Sequence, residues 1–499
     1  MIRPVRILMM SFLVMLTGCS EKNAPQQAGN DIFYITVSMP STETKTVMGE
    51  KAGKTYPVYW EDGDRISLNG YLSGVLSDAG KGNTVARFNV MGRPSSPYEV
   101  SYPGRADQRG SVTFLQHQSY RKESVASGAL PMYGISESLE SISLEHLGAV
   151  LCIPLKGTTS IRGILARAVA GEPLSGDYDL ANKSIKASQT GGFVWLDVPS
   201  AVALSSDPEL FYIAIPAGKY AEGIRLTVFD KNGYNSVISF GAGGFTAERG
   251  VVYELPQTEF VARTSAAFFV TRPAEFNISD ADYLVILNDM DMSGKAWRSV
   301  DFSGVIEGLG HELKGMSSPL VNTLKGRIHN LKIEADITVS SLNEAGIVAC
   351  RCGGGLIDSC VSDGKLTVCI PEVTAISYFG GICGRNLGTI TDCVNLADVT
   401  GTTDIKSVSA SLHFGGVTGA GAGQILTDCV NEGDVTYKGI SSSGIYVGGV
   451  TGRGTSGAVI TGNSNYGIVK STSSKNTGPI IGSYATNVVY QDNSDFSGQ

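Results

Sequence analysis

The chain has 499 residues and a formal net charge of −8, and its 39 lysines and arginines are scattered. Nucleic-acid binding usually needs a basic patch, so this composition argues against a nucleic-acid partner. The length allows about three domains. The 62 glycines are concentrated in the C-terminal half, where they favour tight β-turns over helices.

Residues 1–18 have the features of a secretory signal. Arg3 and Arg6 precede an apolar run at 7–16, which is too short to span a membrane as a helix. The following Cys19 resembles the cysteine of a bacterial lipobox, which implies cleavage before it, diacylation of its thiol and anchoring in the outer membrane. An ordinary signal followed by a chance cysteine is the alternative. Residues 19–30 are polar and rich in Gln, Asn and Gly, as expected of a flexible tether.

Residues 31–258 contain short segments of alternating apolar and polar residues, separated by Pro and Gly. This pattern predicts β-strands packed as an all-β sandwich, with Trp60 in its core. Glu61, Asp62 and Asp64 surround a glycine turn. They are expected to be a solvated turn, since a calcium loop would need more oxygen ligands at regular spacing.

Short motifs follow one another through the same residues. Thr44-Lys45-Thr46 comes first, and the later motifs are GDRI at 63–66, SYP at 101–103, LEHLGAVL at 144–151, FYIAIPAG at 211–218 and RGVVYEL at 249–255. Their order resembles the fimbrillin family of Bacteroidota surface lipoproteins. The resemblance implies two transthyretin-like β-sandwich domains at 31–140 and 141–258. It also implies fimbrial subunits as partners, joined by β-strand exchange.

A repeated phrase dominates residues 259–499. ITDCVN at 390–395 returns as LTDCVN at 426–431 and ITGNSN at 460–465, each after a Gly-Gly pair. The steps from Cys360 to Cys393, Cys429 and Asn463 are 33, 36 and 34 residues. This period, carried by short β-branched segments, predicts stacked units that share a core, here a parallel β-helix (β-solenoid). The region also resembles bacterial surface β-helices with GLUG-type repeats.

Two sets of equivalent positions predict ladders along the solenoid. Thiols stacked about 4.8 Å apart point the same way and fit a disulfide poorly, so they are expected to be buried and reduced. Aligned asparagine amides can hydrogen-bond from coil to coil. The ladder residues are Cys360, Cys393 and Cys429, and Asn395, Asn431 and Asn465. A zinc site at Cys350, Cys352 and Cys360 is the alternative, but it lacks a nearby histidine and the usual spacing.

One local conflict remains in this pattern. Ile390 and Cys393 have opposite parity in a flat strand, so both can face the core only if the chain bends between them.

Paired carboxylates are the strongest candidates for chemistry. Asp392 and Asp428 occupy equivalent repeat positions, where they could act together as in polysaccharide lyases and hydrolases. The alternative is that each caps backbone N–H groups at a turn. The chain has no nucleophile elbow and no phosphate loop. We therefore expect no catalytic residues, no metal and no cofactor.

The combination favours a non-enzymatic cell-surface adhesin, as the tip or an accessory subunit of a fimbria, because a bulky solenoid fits poorly inside a stalk. Its partner would be a host or bacterial surface glycan or protein. Five residues before the Gly-Gly pairs are candidates for ligand contact, although they could instead pack against the coils: Tyr378, Phe379, His413, Phe414 and Tyr446. A glycan-capture lipoprotein and a β-helix lyase or hydrolase are the other interpretations.

Overall fold

A computed structural model describes residues 31–40, 59–106, 109–263, 266–279, 281–341, 343–371, 375–404 and 410–498. The predicted signal, Cys19, the tether and the Thr44-Lys45-Thr46 motif lie outside these residues. The described chain is all-β, and its only helical element is a 3₁₀ turn at Pro273–Glu275. No described helix has the length and apolar character needed to cross a membrane.

The first sandwich packs two sheets around Trp60. The ring of Trp60 lies 4.9 Å from Phe88 and 5.6 Å from Tyr102, both edge-on. One sheet has three strands: Val85–Gly92, Asp31–Ser38 and Ile142–Ser143. The other has five: Glu145–His146, Met132–Ser136, Tyr98–Tyr102, Ser67–Leu68 and Tyr71–Leu72.

The acidic turn before this core is used by the protein itself. Asp64 is buried and accepts hydrogen bonds from the hydroxyl of Tyr102 at 2.8 Å and the backbone N–H of Glu61 at 2.8 Å. Asp62 accepts the N–H of Ala79, and Glu61 pairs with Arg121. Asp64 is therefore not a solvated residue as the sequence suggested.

The second sandwich is built on the long apolar strand Gly148–Lys156. Its sheet contains Glu209–Pro216, Gly148–Lys156, Val252–Glu254 and Thr258–Glu259. The facing sheet contains Asn235–Phe240, Ile224–Asp230, Ser160–Ala168, Val194–Ala203 and His117–Ser119. Two small sheets flank them: Ser184–Lys186, Gly176–Asp179 and Ser111–Phe114; and Gly218–Tyr220 with Phe245–Ala247. His117–Ser119 and Ser111–Phe114 thus tie the chain before residue 140 into the second sandwich.

Four sheets of parallel strands form the solenoid, and we name them sheets A to D. Sheet A contains Phe268–Val270, Tyr283–Ile286, Val305–Glu307, Arg327–His329, Leu356–Asp358, Thr389–Thr391, Ile425–Thr427, Val459–Thr461 and Val489–Gln491. Sheet B contains Met290–Asp291, Glu312–Met316, Lys332–Val339, Val361–Cys369, Val394–Asn395, Asp398–Thr402, Val430–Asn431, Val435–Lys438, Ser464–Asn465, Val469–Ser471 and Ser494–Asp495. Sheet C contains Val300–Phe302, Val321–Leu324, Ala349–Cys352, Cys383–Asn386, Thr418–Gly421, Thr451–Gly454 and Ile481–Tyr484. Sheet D contains Glu344–Ala345, Ser377–Gly380, Leu412–Gly415, Ile445–Gly448 and Thr477–Gly478.

Each coil passes through sheets A, B and C, and sheet D is added between B and C from Glu344–Ala345 onwards. Side chains that alternate inward along every strand form one continuous apolar core through the stack. The predicted solenoid is present, and its first strand is Phe268–Val270.

A left-handed corner between sheets A and B resolves the parity conflict. Asp392 and Asp428 have φ angles of 53° and 54°, and Gly462 has 70° at the same corner. Asp and Gly tolerate this region better than most residues, which explains their recurrence there. Because the chain turns at Asp392, Ile390 and Cys393 are both fully buried.

The asparagine column is held by amide-to-amide hydrogen bonds. Asn395 Nδ2 donates to Asn431 Oδ1 at 2.7 Å, and Asn431 Nδ2 donates to Asn465 Oδ1 at 2.8 Å. The second glycine of each Gly-Gly pair makes room for it. A Cβ on Gly381 or Gly416 would come within 2.0 or 2.1 Å of the adjacent amide oxygen. The Gly-Gly pair and the asparagine therefore recur together because they touch.

The cysteine column directly follows the corner residues, because Cys393 comes after Asp392 and Cys429 comes after Asp428. The thiols of Cys393 and Cys429 are fully buried, and each contacts a carbonyl oxygen of the preceding coil at 3.7 Å. Asn463 takes the same position in the next coil, where its amide donates to Leu426 O at 3.0 Å. The eight described cysteines are free of disulfides, and Cys369 alone among them is exposed.

Candidate functional site

The solenoid is docked on the second sandwich through an apolar interface. Trp195 and Phe229 of the sandwich cluster with Val285 and Leu309 of the solenoid, all nearly or fully buried. His117 donates from Nε2 to the carbonyl oxygen of Leu309 at 2.7 Å, since a carbonyl can only accept. These contacts join the two units over the first coils.

An ion pair between a half-buried arginine and a buried carboxylate crosses the same interface. Arg167 of the sandwich pairs with Glu307 of the solenoid, whose side chain is 1% exposed. Glu307 Oε1 also accepts hydrogen bonds from Asn330 Nδ2 at 2.7 Å and from the N–H of Leu309 at 3.3 Å. A buried carboxylate is tolerated only when it is paired and hydrogen-bonded in this way.

Beyond this contact the two units enclose a cleft of about 650 Å³. The size falls within the range of about 300–1,000 Å³ typical of ligand pockets. The solenoid wall carries Asp358, Asp392, Asp428, Glu432 and Tyr466. The sandwich wall carries Arg167, Glu172, Lys186, Ser188 and Gln189. The cleft is thus polar on both sides, with acids concentrated on the solenoid.

The corner carboxylates face this cleft without an ion-pair partner among the described residues. Burial raises the pKa of Asp392, opposed by a hydrogen bond from Thr391 and reinforced by the like charges of Asp358 and Asp428. The pKa of Asp358 is lowered instead. Burial would raise this pKa, but the hydrogen bond with His329 at 3.0 Å outweighs it. The sequence placed Asp392 and Asp428 together, and the structure adds Asp358 beside them.

An aromatic pair lies at the solenoid side of the cleft. Tyr466 is 51% exposed, and its ring stacks on Phe496 of the next coil at 4.9 Å. Glu432 occupies the equivalent position one coil earlier, since each of these residues follows a residue of the asparagine column. Sequence reasoning did not identify this column of side chains.

A second feature, which we call the arginine–aromatic strip, lies where sheets D and C adjoin. It consists of Tyr378, Arg385, His413, Tyr446 and Arg453, with Ala420 between the arginines. The ring of His413 stacks between Tyr378 at 4.9 Å and Tyr446 at 4.7 Å. The guanidinium groups lie over the tyrosine rings, Arg385 at 5.2 Å and Arg453 at 4.8 Å.

Three of the five predicted ligand-contact residues do not reach the surface. Phe379 and Phe414 are 0% exposed and stack on each other inside the core at 5.3 Å. They follow Tyr378 and His413 directly, so strand alternation turns them inward. His413 points outward but is only 2% exposed, because the two tyrosine rings cover it. Tyr378 and Tyr446 are half-buried and remain candidates.

No family model matches this sequence, and no curated protein matches it. A provisionally named immunoglobulin A1 protease of Bacteroides ovatus is similar to part of the chain, with 19% identity and a TM-score of 0.36. That match covers 47% of this chain and 76% of the other. A provisionally named cell adhesion protein of the same species gives 11% identity and a TM-score of 0.30, over 46% and 92% of the two chains. A fimbrial protein of Bacteroides ovatus is similar to part of the chain with 11% identity and a TM-score of 0.20. That match covers 45% of this chain and 49% of the other. Matches of this size identify neither a family nor a function.

His413 gives a prediction about pH. Burial, and then the Arg453 guanidinium, lower the pKa of His413 to about 3. The unfolded chain binds this proton below about pH 6.5 while the folded chain does not, so stability falls as the pH drops through this window. We expect His413→Phe, which keeps the ring stack, to reduce the loss of stability between pH 7 and pH 5 by about 2 kcal/mol.

Urea unfolding of both proteins at the two pH values measures this difference. His117 and the carboxyl groups are present in both chains, so their titration cancels. An equal loss of stability in the two proteins would contradict a neutral His413 in the folded state.

Among the described residues, no three His, Cys, Asp or Glu side chains come together in a way that could hold a metal ion. The sequence did not lead us to Arg385 and Arg453. Each arginine lies at the same distance after the first glycine of a Gly-Gly pair, Gly380 or Gly448. Ala420 holds the equivalent position after Gly415. That fixed distance could have identified both arginines from the sequence. No such signal exists for the cleft residues Glu172 and Lys186, because no sequence pattern links them to the solenoid.

Proposed function

We propose that this chain is a cell-surface adhesin that binds a host or bacterial surface glycan in the cleft between the second sandwich and the solenoid. The observation that carries the proposal is the cleft itself, with its volume of about 650 Å³ and its polar walls. Planar carboxylate, amide and guanidinium groups match the paired hydroxyls of sugars, and an exposed tyrosine ring offers a face for the sugar ring.

The solenoid wall of the cleft is formed by regular coil corners, and the sandwich wall is formed mainly by loops, including Glu172, Ser188 and Gln189. The corner residues Asp392 and Asp428 are held by the solenoid backbone, and the apolar interface fixes the sandwich wall opposite them. Preorganised walls lower the entropy lost when a flexible oligosaccharide binds.

The cellular setting of the proposal comes from the sequence. A lipid-modified Cys19 would anchor the chain in the outer membrane, and the fimbrillin-like order of motifs in the sandwiches suggests fimbrial subunits as partners through strand exchange. The solenoid is bulky and packs against the outer face of one sheet of the second sandwich. This favours a tip or accessory position in a fimbria over a repeated place in its stalk.

A glycan array probed with the purified full chain tests the proposal. We expect Asp392→Asn/Asp428→Asn to weaken binding of the best glycan by at least about a hundredfold, since each of the two lost charge-assisted hydrogen bonds contributes roughly 1.5–3 kcal/mol. The matched control is Asp398→Asn/Asp434→Asn. These aspartates also lie in adjacent coils, but on sheet B outside the cleft. The absence of glycan binding, or equal losses in both double variants, would refute the cleft as the site.

A carbohydrate-active enzyme is a second candidate, favoured by the raised pKa of Asp392 beside Asp428. Glycosidases use a pair of carboxyl groups as acid and base, and a raised pKa suits the group that acts as the acid. Release of new reducing ends from a bound polysaccharide, abolished in Asp392→Asn, would establish this activity. Binding without such release would leave the adhesin as the supported function.

A further inference from the structure

We propose that the arginine–aromatic strip is a second ligand site, which binds an anionic polysaccharide bearing carboxylate or sulfate groups. The strip lies on sheets C and D, whereas the cleft lies at the corner of sheets A and B. The two sites are therefore separate surfaces of the solenoid. Binding at the strip does not depend on the proposed function of the cleft.

The first step is that the positive charge of the strip is only partly balanced, because among the described residues Glu344 is the single acidic partner and, of the two strip arginines, it contacts only Arg385. No acidic side chain pairs with Arg453 in the described part of the chain. The contact of Arg385 with Glu344 is long, at 3.5 Å, because Glu344 is already engaged by Arg351 at 2.7 and 2.8 Å. On a chain with a net charge of −8, two such guanidinium groups form a distinct cationic feature.

The second step is that several nitrogen atoms of the strip are buried without a partner. Arg385 Nε, Arg453 Nε and His413 Nδ1 all lack a hydrogen bond. His413 itself is 2% exposed. Unsatisfied buried polar groups are rare in folded proteins because each one costs stability, so a group of them calls for an explanation, and a bound polar ligand is one. Here they recur in three successive coils, the two arginine nitrogens on sheet C and the histidine nitrogen on the adjoining sheet D.

The third step is the chemistry of the ligand. Guanidinium groups bind carboxylate and sulfate in a planar, bidentate manner, and a tyrosine ring against each one fixes its orientation. Arg385 and Arg453 are two coils apart, which is about 10 Å at the usual strand spacing. The strip is straight and regular, so it fits an extended polymer with charges at regular intervals. Uronate-containing and sulfated polysaccharides have this form.

Binding of polygalacturonate and dextran sulfate to the full chain, with neutral dextran as the reference, tests the proposal. We expect both anionic polymers to bind, and Arg385→Gln/Arg453→Gln to weaken binding by about tenfold. Lys438→Gln/Lys470→Gln is the matched control. It removes the same charge from exposed residues of sheet B and is expected to change affinity less than about twofold.

Every other result overturns the proposal. Equal losses in the two double variants would show only a general charge effect, and no binding of either anionic polymer would remove the site. Binding of polyglutamate in preference to both polysaccharides would assign the strip to an acidic protein. If the double variant fails to fold, Arg453→Gln alone serves, since no ion pair is lost with it. Asp392→Asn/Asp428→Asn should leave this binding intact, which separates the strip from the cleft.

Discussion

Replacing Asn431 with Ala is expected to lower the free energy of unfolding of the solenoid by roughly 3 to 5 kcal/mol. The residue is fully buried, accepts the amide of Asn395, and donates both to Asn465 and to Gly433 O at 2.8 Å. Alanine removes all three hydrogen bonds and leaves their buried partners unsatisfied, which costs more than the bonds themselves contribute. Urea unfolding followed by circular dichroism measures the change.

Asn487→Ala is the control for this variant, because Asn487 is exposed and its amide reaches only the hydroxyl of Ser456. It should lower the free energy of unfolding by less than about 0.5 kcal/mol.

Gly416→Ala tests the same column and should also be destabilising, since its Cβ would meet Asn431 Oδ1 at 2.1 Å and Gly449 O at 2.2 Å. A stable Gly416→Ala protein would contradict the close packing of glycine against the amides.

Glu307→Ala should destabilise the junction between the sandwich and the solenoid by about 2–3 kcal/mol, less than the cost of breaking a fully buried ion pair because Arg167 is 34% exposed. The substitution leaves Arg167 without its carboxylate and Asn330 Nδ2 without its acceptor. We expect a lower melting temperature and faster proteolysis near residues 259–267. We also expect weaker binding in the cleft, because its two walls lose their fixed relation.

Arg272→Ala provides the comparison, since it removes one partner of the exposed pair Arg272–Glu275. Exposed pairs contribute at most about 1 kcal/mol, so this variant should melt close to the parent. Unchanged proteolysis and glycan binding in Glu307→Ala would mean that the apolar contacts of Trp195 and Phe229 hold the junction without the ion pair.

The sequence predicted the solenoid well, because a fixed period makes distant residues equivalent without any knowledge of contacts. Cys393 and Cys429, or Asn395 and Asn431, had to be neighbours once the coil was assumed. The corner at Asp392 could not be located, although the parity of Ile390 and Cys393 required a bend there. Only the backbone shows that aspartate and glycine share this position because of its positive φ.

The sites were harder to predict for two physical reasons. Choosing consecutive residues such as Tyr378 and Phe379 ignored strand alternation, which sends one ring outward and the other into the core. The cleft depends on how the second sandwich docks against the solenoid. Its far wall comes from residues such as Glu172 and Lys186, and nothing local in the sequence relates them to Asp428.

The asparagine column also bears on how the number of coils in such a solenoid can change. Each link joins one coil to the next in the same way, so a whole repeat can be gained or lost without leaving an unmatched group. The column is closed by different residues, the hydroxyl of Ser362 at one end and the carboxylate of Asp495 at the other. Duplication of one repeat would lengthen the rod by a single strand spacing and leave both closures unchanged. Related chains could in this way have solenoids of different lengths without altering the core.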